Sequence, residues 1–278
     1  MKKILFLTRS LGIAGVPKSL ISLIKTFKKD ECEITIGTLS SDLTNASQLP
    51  KWVKVISIEE IINKEHAKFL RFQKYCQEKR FLFLVWKFSN QIEKKIFKKT
   101  IRKNFQEVYD VANAYHQGLC SSFVIKLIKS KKKYLWYHSS TIMDDCKENV
   151  FAKADKIILV NPLIKQIICD HWKKIDANKI CSIPCYIDSD EIKKLSLETV
   201  DIQENSFVTV SRLSKEKGLN LIVETCIILK RENLNFNWYV IGDGPLLEPT
   251  LKEIEKNGLQ DFLHLIGKRE NPYPYIKK

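Results

Sequence analysis

Residues 206–210, Ser-Phe-Val-Thr-Val, open the stretch whose reading decides the fold. A helical pattern from Gly218 to Arg231 follows, then an apolar run from Asn237 to Ile241, a second helical pattern from Leu246 to Asn257, and a third apolar run from Phe262 to Ile266. Runs this short, rich in Val, Ile and Leu and separated by helix-length segments, read as strands of a parallel sheet, because parallel strands need a long crossover and that crossover is usually a helix. The order β-α-β-α-β is one half of a doubly wound domain.

Upstream the same alternation recurs. Strand candidates are Lys3 to Leu7, Glu33 to Leu39, Val53 to Ile58, Val108 to Ala112, Lys133 to Tyr137, Lys156 to Val160 and Lys179 to Ile183, enough for one Rossmann-like domain. From Asp188 to Asn205 the chain turns polar and loses its periodicity. The expected organisation is therefore α/β with two Rossmann-like domains: residues 1–187, a linker at 188–205, and a second domain at 206–278. Three strands leave a sheet face uncovered, so the second domain reads as cut short.

The composition, 44% hydrophobic and 28% charged, is that of a globular protein and excludes collagen-like and disordered classes. The formal charge of +15 raises anionic partners, but it comes from 40 Lys and only 7 Arg, and base-reading and bidentate phosphate clamps favour Arg. No RNA-recognition, KH, helix-turn-helix or finger signature supports nucleic acid as a partner. Thr8 and Arg9 cut the N-terminal apolar run too early for a signal peptide, and the longest run, Phe81 to Trp86, is far too short to span a bilayer. A cytoplasmic protein is expected. The eight cysteines carry no C-x-x-C spacing and read as free thiols; Cys169, His171, Cys181 and Cys185 lack the spacing of a zinc site, so no metal is expected.

Two strand-to-helix turns bear the pattern of phosphate sites. After the first strand comes LGIAGVPKSL (residues 11–20), whose Gly12 and Gly15 would let a phosphate approach backbone N–H groups at a helix opening near Val16 and Pro17. A simple tight turn accounts for this G-x-x-G equally well. In VSRLSKEKG (residues 210–218), Arg212 and Lys217 stand five residues apart on a loop at a strand's carboxyl end, where open α/β sheets bind ligands. One can act as a fork and the other as a point charge toward a diphosphate. VIGDGP (240–245) and LIGKRENPYPYI (265–276) follow in order.

This ordered set resembles the donor-binding half of family 4 glycosyltransferases, retaining enzymes of the GT-B type with two Rossmann domains. LGIAGVPKSL resembles the family's Gly-rich first loop, and YDVANAYHQG (109–118) with YLWYHSS (134–140) resembles its two central strands. The resemblance implies transfer of a sugar, with retention, from a nucleotide-diphosphate sugar to a glycan or lipid-linked acceptor, in capsule, lipopolysaccharide or other surface-polysaccharide assembly, without a metal or other cofactor. It implies that Arg212 and Lys217 hold the donor diphosphate, that Gly12 and Gly15 face it across a cleft, that Gly267 and Lys268 lie near the base, and that His138 lies beside the transferred sugar, with His116 as competitor. The family's E-x7-E pair has no counterpart in place. Glu216/Glu224 and Glu224/Glu232 match only its spacing and read as helix surface. An inactive remnant of such an enzyme is the alternative.

Residues 64–105 carry 13 Lys and Arg against three Glu, interleaved with Phe69, Phe72, Phe81, Phe83, Trp86 and Phe88. Ile92, Ile96, Ile101 and Phe105 recur at helical spacing opposite Lys94, Lys95, Lys98, Lys99 and Arg102. That is the pattern of an interfacial helix on an anionic inner-membrane surface, and equally of a solvated helix packed on its own domain.

Overall fold

The computed structural model describes residues 1–78, 83–203 and 206–278. It divides into two compact units, Met1–Ile187 and Asp188–Lys278.

The first unit is built on a seven-stranded sheet ordered β3-β2-β1-β4-β5-β6-β7, every pairing parallel. The strands are β1 (Lys2–Thr8), β2 (Cys32–Thr38), β3 (Lys54–Ser57), β4 (Tyr109–Ala114), β5 (Ser130–Tyr137), β6 (Lys156–Leu159) and β7 (Ile180–Ser182). All seven expected strands are present, and the order reverses at β1, the switch point of a Rossmann sheet. β1 shows why the apolar runs are continuous. Phe6 faces one core with Ile34, Ile36 and residues Leu20, Ile21 and Ile24 of α1 (Gly15–Lys25), whereas Leu5 and Leu7 face the other with Ile101 and Phe105. Both sheet faces are covered, so there is no polar alternation.

At the sheet's amino edge the lysines of β5 run into the strand, which starts at Ser130 instead of Lys133. Lys131 pairs with Asp110 at 2.7 Å and Lys132 with Asp155 at 3.1 Å, so charge is accommodated where the strand leaves the core.

The basic stretch folds into α2 (Ile58–Glu65), α3 (Ala67–Glu78) and α4 (Phe83–Asn104), and α5 (Leu119–Leu127), α6 (Glu148–Phe151) and α7 (Ile164–His171) follow β4, β5 and β6. Gln73 bridges α3 to α4, its amide donating to Asn90 Oδ1 at 2.7 Å and to Glu93 Oε2 at 2.6 Å. Ile101 and Phe105 are buried in the core, with Ile96 and Phe97 packed against it. The aliphatic face is thus spent on the protein's own interior. Lys94, Lys95, Lys98, Lys99 and Arg102 are exposed on the outside, as are Phe72 and Tyr75 of α3. Lys79, Arg80 and Phe81 lie outside the described residues, as do the side chains of Phe83, Trp86, Lys87 and Phe88. Among the described residues no helix is long and apolar enough to cross a membrane.

The second unit holds a three-stranded parallel sheet ordered β10-β9-β8, from β8 (Phe207–Val210), β9 (Trp238–Ile241) and β10 (Leu263–Gly267). α9 (Leu219–Arg231) and α10 (Leu247–Lys256) close a core of Leu213, Ile222, Cys226, Val240, Ile254 and Leu263. The segment read as a polar linker is different from that expectation. It opens with α8 (Ser189–Leu195), capped by Asp188, which accepts from Glu191 N at 3.0 Å. Ile202 is buried, and the Asn271 amide donates to Leu195 O at 2.9 Å, tying α8 to the loop before α11 (Tyr273–Lys277). Residues 188–203 are therefore part of the second unit's body.

Candidate functional site

Each unit brings a set of candidate side chains to the carboxyl edge of its own sheet. In the second unit three loops leave that edge, and their backbones are bonded to one another. Leu213 N donates to Asp243 O at 2.9 Å, Leu246 N to Leu213 O at 3.0 Å, and Gly242 N to Gly267 O at 3.0 Å. The loops approach so closely that a Cβ on Gly242 would collide with the Ser211 carbonyl oxygen, and one on Gly244 with that of Leu213. The glycines of VIGDGP are there because backbone lies against backbone.

On this platform the β8–α9 loop presents Arg212 and Lys217, both exposed. A 3-10 turn at Lys215–Lys217 and a left-handed Gly218 (φ 68°) redirect the chain into α9, whose N-terminal N–H groups and dipole add positive potential. The Arg212 Nη2 donates to Glu216 Oε1 at 2.7 Å. Glu216, expected to be mere helix surface, is instead the partner of Arg212. Gly267 ends β10 at φ 74°, and exposed Lys268 follows it. The loops thus gather Arg212, Lys217, Gly267 and Lys268 along one edge.

In the first unit the site lies at the switch point between β1 and β4. Gly12 is buried, and the carboxylate of exposed Asp42 occupies the space where a Cβ would stand. Its carbonyl accepts from Asn45 Nδ2 at 2.9 Å, and Leu11 N donates to Asp42 O at 2.9 Å, so the first loop is laced to the loop after β2. Gly15 is exposed, begins α1, and has open space where a Cβ would stand. The helix therefore opens one residue before Val16, with Pro17 still in its first turn.

His138 follows β5. Its Nε2 lies 2.7 Å from Tyr115 O, so Nε2 carries the proton and donates, leaving the Nδ1 lone pair as an acceptor. Cys185 Sγ stands 4.0 Å from Nδ1, and the His138 N–H donates to Gln117 Oε1 at 3.3 Å. The ring packs against those of Tyr115 and Trp136. Burial, with a smaller contribution from nearby His116, depresses the imidazole pKa to about 4 against the opposing pull of the Tyr115 carbonyl. His138 is neutral at physiological pH. His116 is also held below its ordinary value, chiefly by burial and secondarily by Arg9, while the Gln117 carbonyl and Asp145 act in the opposite direction. Tyr115 is itself fixed by a 2.5 Å hydrogen bond between its hydroxyl and that of Ser19.

Sequence reasoning missed Tyr115, Gln117, Cys185 and Glu216. Tyr115 and Gln117 come from the loop after β4 and Cys185 from the chain after β7, and only tertiary structure brings them to His138. The Arg-x3-Glu spacing of Arg212 and Glu216 was a signal in plain view. Among the described residues no three His, Cys, Asp or Glu side chains converge as a candidate metal site.

Residues 193–278 match the family described as Glycosyl transferases group 1. The chain is 25% identical over 173 residues to an uncharacterized glycosyltransferase of Methanocaldococcus jannaschii, a match covering 55% of this chain and 42% of that one. It is 28% identical over 92 residues to the N-acetylgalactosamine-N,N'-diacetylbacillosaminyl-diphospho-undecaprenol 4-alpha-N-acetylgalactosaminyltransferase of Campylobacter jejuni, covering 33% of this chain and 24% of that one. The chain thus spans less than half the length of these curated relatives. Among solved structures, a variant of TarM from S. aureus, in complex with fondaparinux, alpha-GlcNAc-glycerol and UDP, superposes with a TM-score of 0.65 at 12% identity, covering 98% of this chain and 78% of that one. In architecture the protein is α/β of the GT-B type with two Rossmann-like units, and its residues 193–278 match the domain of group 1 glycosyl transferases.

Proposed function

We propose that the protein is a retaining glycosyltransferase that moves a sugar from a nucleotide-diphosphate sugar to a glycan or lipid-linked acceptor in surface-polysaccharide assembly. The observation that carries this reading is the platform of three mutually bonded loops offering Arg212 and Lys217 at the carboxyl edge of the second sheet. In this reading the second unit binds the donor and the first receives the acceptor. Arg212 and Lys217, aided by the α9 dipole, take up charge on the departing diphosphate, so that side chains supply the leaving-group stabilisation without a metal. Gly267 and Lys268 lie by the base. In the first unit Gly12 and Gly15 form a turn of the kind that admits phosphate, and His138, neutral with Nδ1 as acceptor, can accept a hydrogen bond from a sugar hydroxyl. The acceptor hydroxyl replaces the diphosphate on the same face of the sugar, and its proton leaves with a phosphate oxygen.

Lys94, Lys95, Lys98, Lys99 and Arg102, with Phe72 and Tyr75 on the adjoining helix, place the enzyme against the anionic cytoplasmic face of the membrane, by charge and not by insertion of the α4 aliphatic face. Each cation near such a surface contributes about 1 kcal/mol, enough in sum for reversible attachment. The undecaprenol in the name of the Campylobacter jejuni relative is an acceptor of the kind such attachment favours.

The test is calorimetric titration with UDP, GDP, ADP and UMP. One diphosphate is expected to bind selectively, and Arg212→Ala to weaken it about ten- to a hundred-fold by removing a charge-assisted contact, with the nucleoside unaffected. Equal loss for diphosphate and nucleoside refutes the role of Arg212.

A further inference from the structure

An acidic residue between two cations is an odd component for a loop that binds diphosphate. By charge alone Glu216 repels the ligand that Arg212 and Lys217 attract. Nor does stability explain it: the Arg212–Glu216 side chains are 68% and 56% exposed, and a single exposed i,i+4 pair contributes little to folding. Its geometry is informative instead. Glu216 lies within the 3-10 turn that Lys217 N closes onto Ser214 O at 2.9 Å, so its own backbone is fixed. Its carboxylate reaches one guanidinium nitrogen, Nη2, at 2.7 Å. Arginine has five N–H donors in a rigid fork, so one contact at one edge leaves the rest open to a ligand. An exposed arginine without such a tether samples many rotamers and loses that freedom when it binds.

We infer that Glu216 is a positioning residue that holds the Arg212 guanidinium pre-aligned on the loop, with its free edge presented to the donor diphosphate. The inference rests on the proposed function for its ligand, but the tether itself belongs to the free protein. It makes a prediction opposite to that of net charge: deleting a negative charge from the anion site weakens anion binding.

The experiment compares Glu216→Ala, Glu216→Gln and the unaltered chain in two measurements. The first, without ligand, is 15N relaxation of the Arg212 side-chain Nε–H, assigned by its loss in Arg212→Lys. The second is calorimetry with UDP, GDP and ADP beside the matching nucleosides. Glu216→Ala is expected to mobilise the Arg212 Nε–H and to weaken the preferred diphosphate about three- to ten-fold, the range for one re-mobilised long side chain, without changing nucleoside affinity. Glu216→Gln, which keeps an acceptor oxygen in place, recovers most of the order and affinity. Unchanged Arg212 dynamics in Glu216→Ala, or tighter diphosphate binding by it, overturns the inference. If the unaltered chain binds no diphosphate, the proposed function fails, and the Arg212 relaxation alone decides the positioning.

Discussion

His138 ties the candidate site to the stability of the first unit, and the link is measurable. Its folded-state pKa of about 4 lies below the ordinary 6.5, so between those values the unfolded chain takes up a proton that the folded chain refuses. The stability arising from this group is complete above pH 6.5 and is lost as pH falls toward 4. At pH 5 the difference in proton binding corresponds to about 2 kcal/mol, and at pH 7.5 to almost nothing. The perturbation is His138→Gln, which keeps a donor for the Tyr115 carbonyl and does not titrate. Urea unfolding followed by tryptophan fluorescence, with Trp136 and Trp172 in the first unit's cores, is measured at the two pH values. The unaltered chain is expected to lose about 2 kcal/mol more than the variant between about pH 7.5 and about pH 5. Some slope persists in the variant, since His116 is also depressed by burial. The paired carboxylates Asp110 and Asp155, whose pKa values are lowered, lose their contributions mainly at more acid pH, which is why the comparison stops at 5. Equal slopes for variant and unaltered chain refute a neutral, buried His138, and with it the acceptor role of Nδ1.

Replacing Lys94, Lys95, Lys98 and Lys99 together with Gln is expected to release the protein from vesicles containing phosphatidylserine, a loss of about 4 kcal/mol of attraction, with no change in the unfolding midpoint. Unchanged vesicle binding makes α4 a solvated helix only. Gly242→Ala forces the β9–α10 loop away from the Ser211 carbonyl and breaks at least one inter-loop hydrogen bond, so the second unit should lose about 2–4 kcal/mol in chemical denaturation. A loss under about 0.5 kcal/mol shows that the loops adjust and that the close approach is not a constraint.

The strands were legible because burial on both faces makes each of them an apolar run with no competing period, as Ile4 to Leu7 illustrates. The helix at 189–195 was hidden by its polarity. It has too few apolar residues to show a stripe, yet its capping signal stood in the text: Asp188 with Glu191 three residues on, acids in the first turn and Lys193 and Lys194 in the last. The second-unit cations were legible as a spacing, whereas the brace from Glu216 was read as surface because an i,i+4 pair looks the same on any helix. The environment of His138 was not legible at all. Tyr115, Gln117 and Cys185 reach it from the ends of β4 and β7, and no local pattern encodes which residues meet at a sheet edge.

The central position of β1 sets the timetable by which the first unit is made. Its neighbour β2 is available within one short helix, but its other neighbour, β4, begins roughly a hundred residues later, beyond the whole basic helical stretch. During synthesis the nascent chain therefore holds a half-finished sheet, with the β1 edge open and Leu5 and Leu7 lacking the Ile101 and Phe105 that cover them, until the second hundred residues emerge. That waiting species is the one most exposed to pairing with another chain. The cluster of lysines on α2 to α4 emerges in the interval, and the like charge it gives each nascent copy keeps neighbouring copies apart while the edge stays open.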